Sequence, residues 1–198
     1  VIGQLTWHQH LNRMAMGGTH LAVWGANLPD AAYPLVGGDN EHGGYLAAAH
    51  LLARGCRRIA FFGDISHPES GLRHAGYVRA HREAGLEPDD RLRVPVLFGE
   101  SRLRAVVDDW LDHGLPFDGV FANSDMAAIV LISALKARGV EVPRDVKVVG
   151  YDDIPMAAFA TPPLTTMHSD PIGQAQMALK LLMAQINADT SAEPVQHE

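Results

Sequence analysis

The chain has 198 residues, of which 47% are hydrophobic and 20% are charged, so a packed globular protein is expected and disorder is excluded. Its formal net charge is −7, which makes the chain alone a poor nucleic-acid binder, since phosphate contacts need clustered Lys and Arg. The single cysteine, Cys56, excludes an intrachain disulfide and favours a reducing, cytoplasmic location. No run is long enough for a membrane span and no secretory signal opens the sequence, so no membrane partner is expected.

Short apolar runs alternate with longer helical patterns along the chain. Apolar runs typical of buried strands lie at 20–24, 58–62, 93–98, 119–122, 146–149 and 164–167. Helical periodicity predicts helices at 41–54, 72–84, 101–113, 124–138 and 172–186. Three of these helices are followed by a glycine that can adopt the left-handed cap conformation: Gly55, Gly85 and Gly139. The alternation predicts an α/β fold with parallel sheets and helices on both faces.

Side chains that could bind a ligand follow several predicted strands at the point where each strand ends. Asp152 and Asp153 follow one strand, Ser124 follows another, Arg73 lies beyond a third, and Phe98 ends its own. Because ligands of such sheets bind at the carboxyl ends of the strands, these groups are expected to share one edge. A carboxylate, a guanidinium group and an aromatic ring together suit a polyhydroxylated ligand such as a sugar.

Three segments carry a family resemblance. They are VGGDNEHGGYLAAAHLLARGCRRIAFFG (36–63), ESGLRHAGYVRAHREAGLEPD (69–89) and FDGVFANSDMAAIVLISALKARGVEVPRDVKVVGYDDIPMAAFATPPLTTM (117–167). The last contains, in order, S-D, a helix of small residues, V-P-x-D-V, V-V-G-Y-D-D and P-P-L-T-T. Taken together, the segments resemble the lactose-repressor (LacI/GalR) family of bacterial transcription regulators.

The resemblance implies a two-lobed fold like that of periplasmic binding proteins. Residues 54–168 would form a nearly complete C-lobe, and residues 1–53 and 169–198 would form part of an incomplete N-lobe. Family members also carry an N-terminal helix-turn-helix headpiece. No helix-turn-helix pattern is visible in this sequence, so the DNA-binding headpiece is expected to be absent from this chain.

The resemblance also assigns functional residues. Arg73 matches an arginine that grips effector hydroxyls or carboxylates, and Asp152 matches the aspartate that binds hydroxyls from the other side. Ser124 falls where many members have asparagine, and Phe98 falls near a stacking aromatic of sugar-responsive members. Four apolar residues are expected at a dimer surface: Ile129, Ile132, Met156 and Phe159. Two polar residues after the last strand, Ser169 and Asp170, are expected to line the effector cleft.

The resulting functional hypothesis is a ligand-responsive transcriptional regulator, most simply a repressor. It would be a homodimer that binds a small-molecule effector, such as a sugar, and binds operator DNA through the missing headpiece. No cofactor and no metal are expected. The alternative is a periplasmic solute-binding protein of a transporter. An enzyme is disfavoured, because the adjacent Asp152 and Asp153 cannot flank one scissile bond and no other acid/base pair is evident.

Other conspicuous residues have structural interpretations. Asp153 is expected to point away from the cleft, because neighbouring residues of an extended segment face opposite ways. Asp125 is expected to be mainly a partner of a helix dipole. Gly43 and Gly44 are expected to allow close packing of their helix. The 11 histidines show no metal-binding spacing and are predicted to be solvated surface residues.

Overall fold

The computed structural model describes residues 8–95, 100–114 and 116–190. These residues form two compact units. The first consists of the residues up to Gly38 together with those from Asp170 onward. The second is the continuous segment Asp39–Ser169. Among the described residues no helix is long and apolar enough to cross a membrane.

The described elements follow the predicted alternation of strands and helices. In chain order they are α1 (Gln9–Met16), β1 (Val23–Trp24), β2 (Leu35–Val36), α2 (Asn40–Ala53), β3 (Ile59–Phe62), α3 (Pro68–Glu83), β4 (Arg93–Val94), α4 (Glu100–Asp112), β5 (Gly119–Ala122), α5 (Asp125–Ala137), β6 (Lys147–Asp152), β7 (Thr165–His168) and α6 (Pro171–Thr190). The predicted strands and helices are present, β5 with the predicted bounds and the others with shifted bounds, while residues 96–98 of the strand predicted at 93–98 lie outside the described residues. The elements α1 and β2 were not predicted. The α/β fold with parallel sheets is therefore confirmed.

The second unit is built on a five-stranded sheet with the strand order β4-β3-β5-β6-β7. All neighbouring strands pair in parallel. Their carboxyl ends therefore lie at one edge, which brings the segments after β3, β5 and β6 together. Asn123, Asp152 and the start of α3 meet at this edge.

Both faces of this sheet are covered, because successive strand residues point to opposite sides. On β3, Ile59 and Phe61 pack in one core cluster, and Ala60 and Phe62 pack in another. The first cluster includes residues of α2 and α3, whereas the second includes residues of α4 and α5. All four residues of β3 and of β5 are buried, which explains the continuous apolar runs seen in the sequence.

Helices α2 and α3 approach each other at backbone distance. A Cβ added at Gly44 would lie 2.0 Å from the carbonyl oxygen of Arg73, and one at Gly76 would lie 1.9 Å from that of Glu41. A Cβ at Gly43 would lie 2.4 Å from the hydroxyl oxygen of Tyr151. Only glycine fits these positions, which confirms that Gly43 and Gly44 serve close packing and adds Gly76.

The domain boundary predicted after residue 53 is wrong. The structure divides the chain after Gly38, so α2 belongs to the second unit. The physical reason is the contact just described, together with the burial of Ala47, Ala48 and Leu51 of α2 against the five-stranded sheet. The second boundary lies between Ser169 and Asp170, one residue later than predicted.

The first unit contains the short parallel pair β1 and β2. Leu11, Leu21, Val23 and Tyr33 form its buried cluster. Helix α6 joins this unit through Gln185, whose side chain accepts a hydrogen bond from the Leu21 amide and donates one to the Leu21 carbonyl. The first unit therefore combines a segment that precedes the second unit in the sequence with a segment that follows it.

The prediction that the histidines are surface residues is wrong for His81. Its side chain is 2% exposed on α3 and its ring packs against Tyr77 at a centroid distance of 4.2 Å. The Nδ1 atom lies 2.9 Å from the Tyr77 carbonyl oxygen. Burial lowers the pKa of His81 below its ordinary value, so the ring is neutral and Nδ1 donates to that carbonyl.

Candidate functional site

Arg73 lies in the second turn of α3 and is held on several sides at the carboxyl edge of the sheet. Its Nε donates to Oδ1 of Asn40 at 2.8 Å, and its Nη1 donates to the carbonyl oxygen of Asn123 at 2.5 Å. The guanidinium carbon lies 3.6 Å from the centroid of the Tyr151 ring. The side chain is 13% exposed, so its orientation is fixed by the protein rather than by solvent.

Asp152 faces the remaining side of this guanidinium group. Its Oδ1 lies 3.7 Å from Nη2 of Arg73, and its side chain is 38% exposed. Burial raises the pKa of Asp152 to about 6, the positive charge of Arg73 opposes this rise, and the charges of Asp125 and Glu69 add to it. The structure therefore brings together Arg73 and Asp152, the two residues that the family resemblance assigned to opposite sides of the effector.

Three contact residues of Arg73 were not identified from the sequence as part of the site. Asp39 is the cap of α2, whereas Asn40 is buried, 4% exposed. Asn123 uses its backbone carbonyl, and its side-chain amide donates to the Ser70 hydroxyl. Tyr151 is buried beneath the guanidinium group. The D-N and A-N-S-D motifs were the available signals for the two asparagines.

Ser124 lies in a structural position. Its hydroxyl accepts a hydrogen bond from the Ala127 amide at 3.3 Å and caps the N-terminus of α5, and the residue is 7% exposed. This bond satisfies one of the amides that every helix leaves free at its start. Ser124 therefore adjoins the site through Asn123, and its predicted contact with an effector stays a prediction.

The two polar residues expected to line the cleft are used in different ways. The Ser169 hydroxyl donates to the backbone carbonyl of Asp152 at 2.9 Å, so Ser169 helps to fix the backbone of Asp152. Asp170 belongs to the first unit and accepts from the Gly173 amide at 2.9 Å near the start of α6. The predicted stacking residue Phe98 lies outside the described residues.

The four residues predicted for a dimer surface differ in exposure. Phe159 is 84% exposed and Met156 is 53% exposed, which leaves both free for a partner. Ile129 is half-buried on α5. Ile132 is 5% exposed and packs in the core beside α4, so its assignment to a surface is wrong.

The arrangement suits the binding of a neutral ligand rich in hydroxyl groups. Arg73 supplies N–H donors, and Asp152 supplies acceptor oxygens within a few ångströms of them. Such a donor–acceptor pair can engage neighbouring hydroxyl groups of one ligand. In the part of the chain that the structure describes, no group of three His, Cys, Asp or Glu side chains could hold a metal ion.

Comparison with known proteins identifies the family to which this fold belongs. Residues 48–198 match the family described as periplasmic binding protein-like domain. The chain belongs to this family. The ribose operon repressor of Escherichia coli K12 is 35% identical over 149 residues, which cover 75% of this chain and 45% of the repressor. The chain thus spans about half the length of the curated relatives it matches.

Solved structures place the same fold among LacI-family regulators. A putative LacI-family transcriptional regulator from Sanguibacter keddieii is 34% identical, with a TM-score of 0.78 over 85% of this chain and 63% of that chain. A LacI-family regulator from Lactobacillus casei with bound glucose is 26% identical, with a TM-score of 0.84 over 94% of this chain and 72% of that chain. The predicted resemblance to the LacI family and the periplasmic-binding-protein-like fold are confirmed. These relatives are named as regulators and not as enzymes, which also supports the prediction that the chain is not an enzyme.

Proposed function

We propose that this chain is the effector-binding core of a bacterial LacI-family transcriptional regulator that responds to a sugar. The observation that carries the proposal is the paired Arg73 and Asp152 at the carboxyl edge of the five-stranded sheet. The arginine is pre-oriented by Asn40, Asn123 and Tyr151, so little conformational entropy is lost when it binds a hydroxyl group. Relatives that are named for ribose or contain glucose support this ligand class.

The regulator as a whole would act on DNA through a headpiece outside this chain. The net charge of −7 supports the assignment of DNA binding to the headpiece, since the core itself is unsuited to phosphate contacts. An effector that binds one conformation of the core more tightly than another would shift the population of that conformation and so change operator affinity. A cytoplasmic location follows from this function and is part of the proposal.

A panel of pentoses, hexoses and disaccharides tests the proposal through the thermal stability of the chain. A ligand that binds only the folded state raises the melting temperature as its concentration rises above Kd. We expect one class of sugar to do so for the native chain and to fail for the Asp152→Asn variant, whose side chain accepts fewer hydrogen bonds. Equal shifts in both proteins, or none across the panel, would contradict a sugar site at Asp152.

Sugar affinity should depend on pH through Asp152. The carboxylate is the better acceptor of hydroxyl hydrogen bonds, and its pKa of about 6 means that it loses its charge in mildly acidic solution. We expect constant affinity above pH 7 and a fall of about tenfold per unit below pH 6, because a proton then competes with the ligand. Calorimetric titration from pH 5 to 8 measures this, and an affinity that stays constant over that range would contradict the role of the Asp152 carboxylate.

The raised pKa of Asp152 also makes folding stability depend on pH, but in the opposite direction to its effect on sugar binding. Because the pKa of Asp152 is raised in the folded state, its contribution to stability is fully present below the ordinary value and is lost as the pH rises through about 6. Weaker sugar binding at pH 5 therefore cannot arise from acid unfolding through this residue. A melting curve at each pH verifies that the chain remains folded during the titration.

The proposed homodimer is expected to depend on Phe159. Its side chain is 84% exposed and lies three residues after Met156, which is 53% exposed, so the two offer neighbouring apolar groups to a second copy. We expect Phe159→Arg to weaken dimerisation by at least about 2 kcal/mol, as for a central interface aromatic. Sedimentation equilibrium measures this. Met16→Arg, at a residue 72% exposed outside the predicted surface, is the control, and an equal effect there would contradict the assignment.

A further inference from the structure

Asp125 carries a buried carboxylate that the proposed function does not use. The residue is fully buried at the first position of α5. One carboxylate oxygen, Oδ1, accepts from the Thr166 hydroxyl at 2.5 Å, and the other, Oδ2, accepts from the Ile154 amide at 2.8 Å. A favourable interaction with the helix dipole needs only a position near the start of α5. It does not explain why both oxygens reach β7 and the segment that follows β6.

The segment that Asp125 holds has an unusual backbone. Asp152 has φ 110° and Asp153 has φ 58°, although neither is glycine. Two consecutive residues with positive φ persist only when their surroundings hold them. The Asp153 amide donates to the Thr166 hydroxyl at 3.4 Å, and the Ile154 amide donates to Asp125. Thr166 thus links the Asp125 carboxylate to the turn.

The chain also keeps space for this connection. A Cβ added at Gly150 would lie 2.2 Å from Oδ1 of Asp125, so a side chain on this residue of β6 would displace the carboxylate. From the other side, Ser169 donates to the Asp152 carbonyl. The backbone on both sides of the Asp152 side chain is therefore fixed by hydrogen bonds. The side chain itself is left to face Arg73 at 3.7 Å.

We propose that Asp125 is a positioning residue of the effector site. Together with Thr166 it holds residues 152–154 in the left-handed turn that presents the Asp152 carboxylate to Arg73. The relevance of this turn to effector binding rests on the proposed function, whereas the turn geometry does not. Asp125 acts through Asp152 and needs no contact with the ligand.

The test uses the ligand-free chain and three variants. Thr166→Val keeps the shape of threonine and removes the hydroxyl, Thr166→Ser restores a hydroxyl, and Asp125→Asn keeps the shape of the aspartate with one acceptor oxygen fewer. The first readout is the titration of the Asp152 carboxyl carbon by NMR, in a setting where Arg73, Asp125 and Glu69 are the charged groups that act on it. The second readout is the hydrogen-exchange rate of the Arg73 Nη2 hydrogens, which face Asp152, whereas Nε donates to Asn40.

In the native chain and in Thr166→Ser, Asp152 should titrate near 6 and the Arg73 Nη2 hydrogens should be protected. In Thr166→Val, which changes no charge, the midpoint should fall by about one to two units toward the ordinary aspartate value. Exchange at Arg73 should become at least about tenfold faster in Thr166→Val and in Asp125→Asn, because the paired geometry is lost. A merely structural Asp125 would lower the melting temperature and leave both readouts at their native values, which would overturn the proposal.

The outcomes separate this inference from the proposed function. Should Thr166→Val fail to fold, the exchange rate in Asp125→Asn decides the question, since that readout does not depend on the removed charge as the titration does. A sugar panel with no binder would defeat the proposed ligand and leave the positioning result intact. Native-like readouts in the variants would defeat the positioning role even if a sugar binds.

Discussion

Replacing Arg73 by alanine should abolish sugar binding. The substitution removes the donors that face Asp152 and leaves the Asn123 carbonyl, Oδ1 of Asn40 and the Tyr151 ring without their cation. A hydrogen bond from a charged donor contributes about 1.5–3 kcal/mol, so each bond that Arg73 makes to the ligand should cost about tenfold or more in affinity when it is lost. Calorimetry with the sugar that stabilises the native chain measures this loss.

The same substitution should also lower stability. In the structure the side chain is 13% exposed and satisfies buried acceptors, so we expect the free energy of unfolding to fall by about 1–3 kcal/mol. Urea denaturation followed by circular dichroism measures this fall, and binding should be assayed where the variant remains folded.

A matched control lies on the same helix. Arg79 also stacks over a tyrosine ring, at 4.6 Å from Tyr45, and pairs with Glu41, but its side chain is 43% exposed. Arg79→Ala should therefore leave sugar affinity unchanged and cost less than about 1 kcal/mol of stability. Arg73→Lys, which keeps the charge and loses the planar fork, should bind weakly. Native affinity in Arg73→Ala would show that the site lies elsewhere.

Replacing Gly44 by alanine should destabilise the second unit and weaken sugar binding together. The new Cβ would lie 2.0 Å from the carbonyl oxygen and 2.7 Å from the Cα of Arg73. Because these are backbone atoms, α2 and α3 must separate, and overpacking of this kind costs about 1–3 kcal/mol or more. This outcome reverses the gain of about 1 kcal/mol that alanine gives over glycine in an unconstrained helix.

Sugar affinity reports on the same separation, because Asn40 lies on α2 and Arg73 on α3. Chemical denaturation and calorimetry on one preparation measure both effects. His50→Ala is the control, since His50 is exposed on α2 and the substitution changes only helix propensity. An unchanged or higher stability of Gly44→Ala would contradict the close approach of the two helices.

Local sequence determined the secondary structure of the second unit. The apolar run at 119–122 is the strand β5 itself, and continuous burial on both faces is the reason that such a run needs no polar alternation. Gly55, Gly85 and Gly139 have positive φ after the helices they were predicted to end, since glycine alone adopts that conformation without strain. The ordered motifs between 36 and 167 determined the family in the same way.

Tertiary structure decided which of these elements belong together and which side chains meet. The membership of α2 in the second unit depends on glycine contacts with α3 that no local pattern reveals. Ile132 and His81 are buried because of the faces on which their helices pack. Asn40 and Asn123 orient Arg73 from segments far apart in the chain.

Arg73 and Asp152 show which part of the site local sequence determined and which part tertiary structure decided. The sequence places Arg73 and Asp152 after separate strands, and the rule for parallel sheets brings those strand ends to one edge. The left-handed turn that directs Asp152 to Arg73 depends on Asp125, Thr166 and Ser169. These contacts form only after the sheet has assembled, because hydrogen bonds between distant segments are absent from any local pattern of residues.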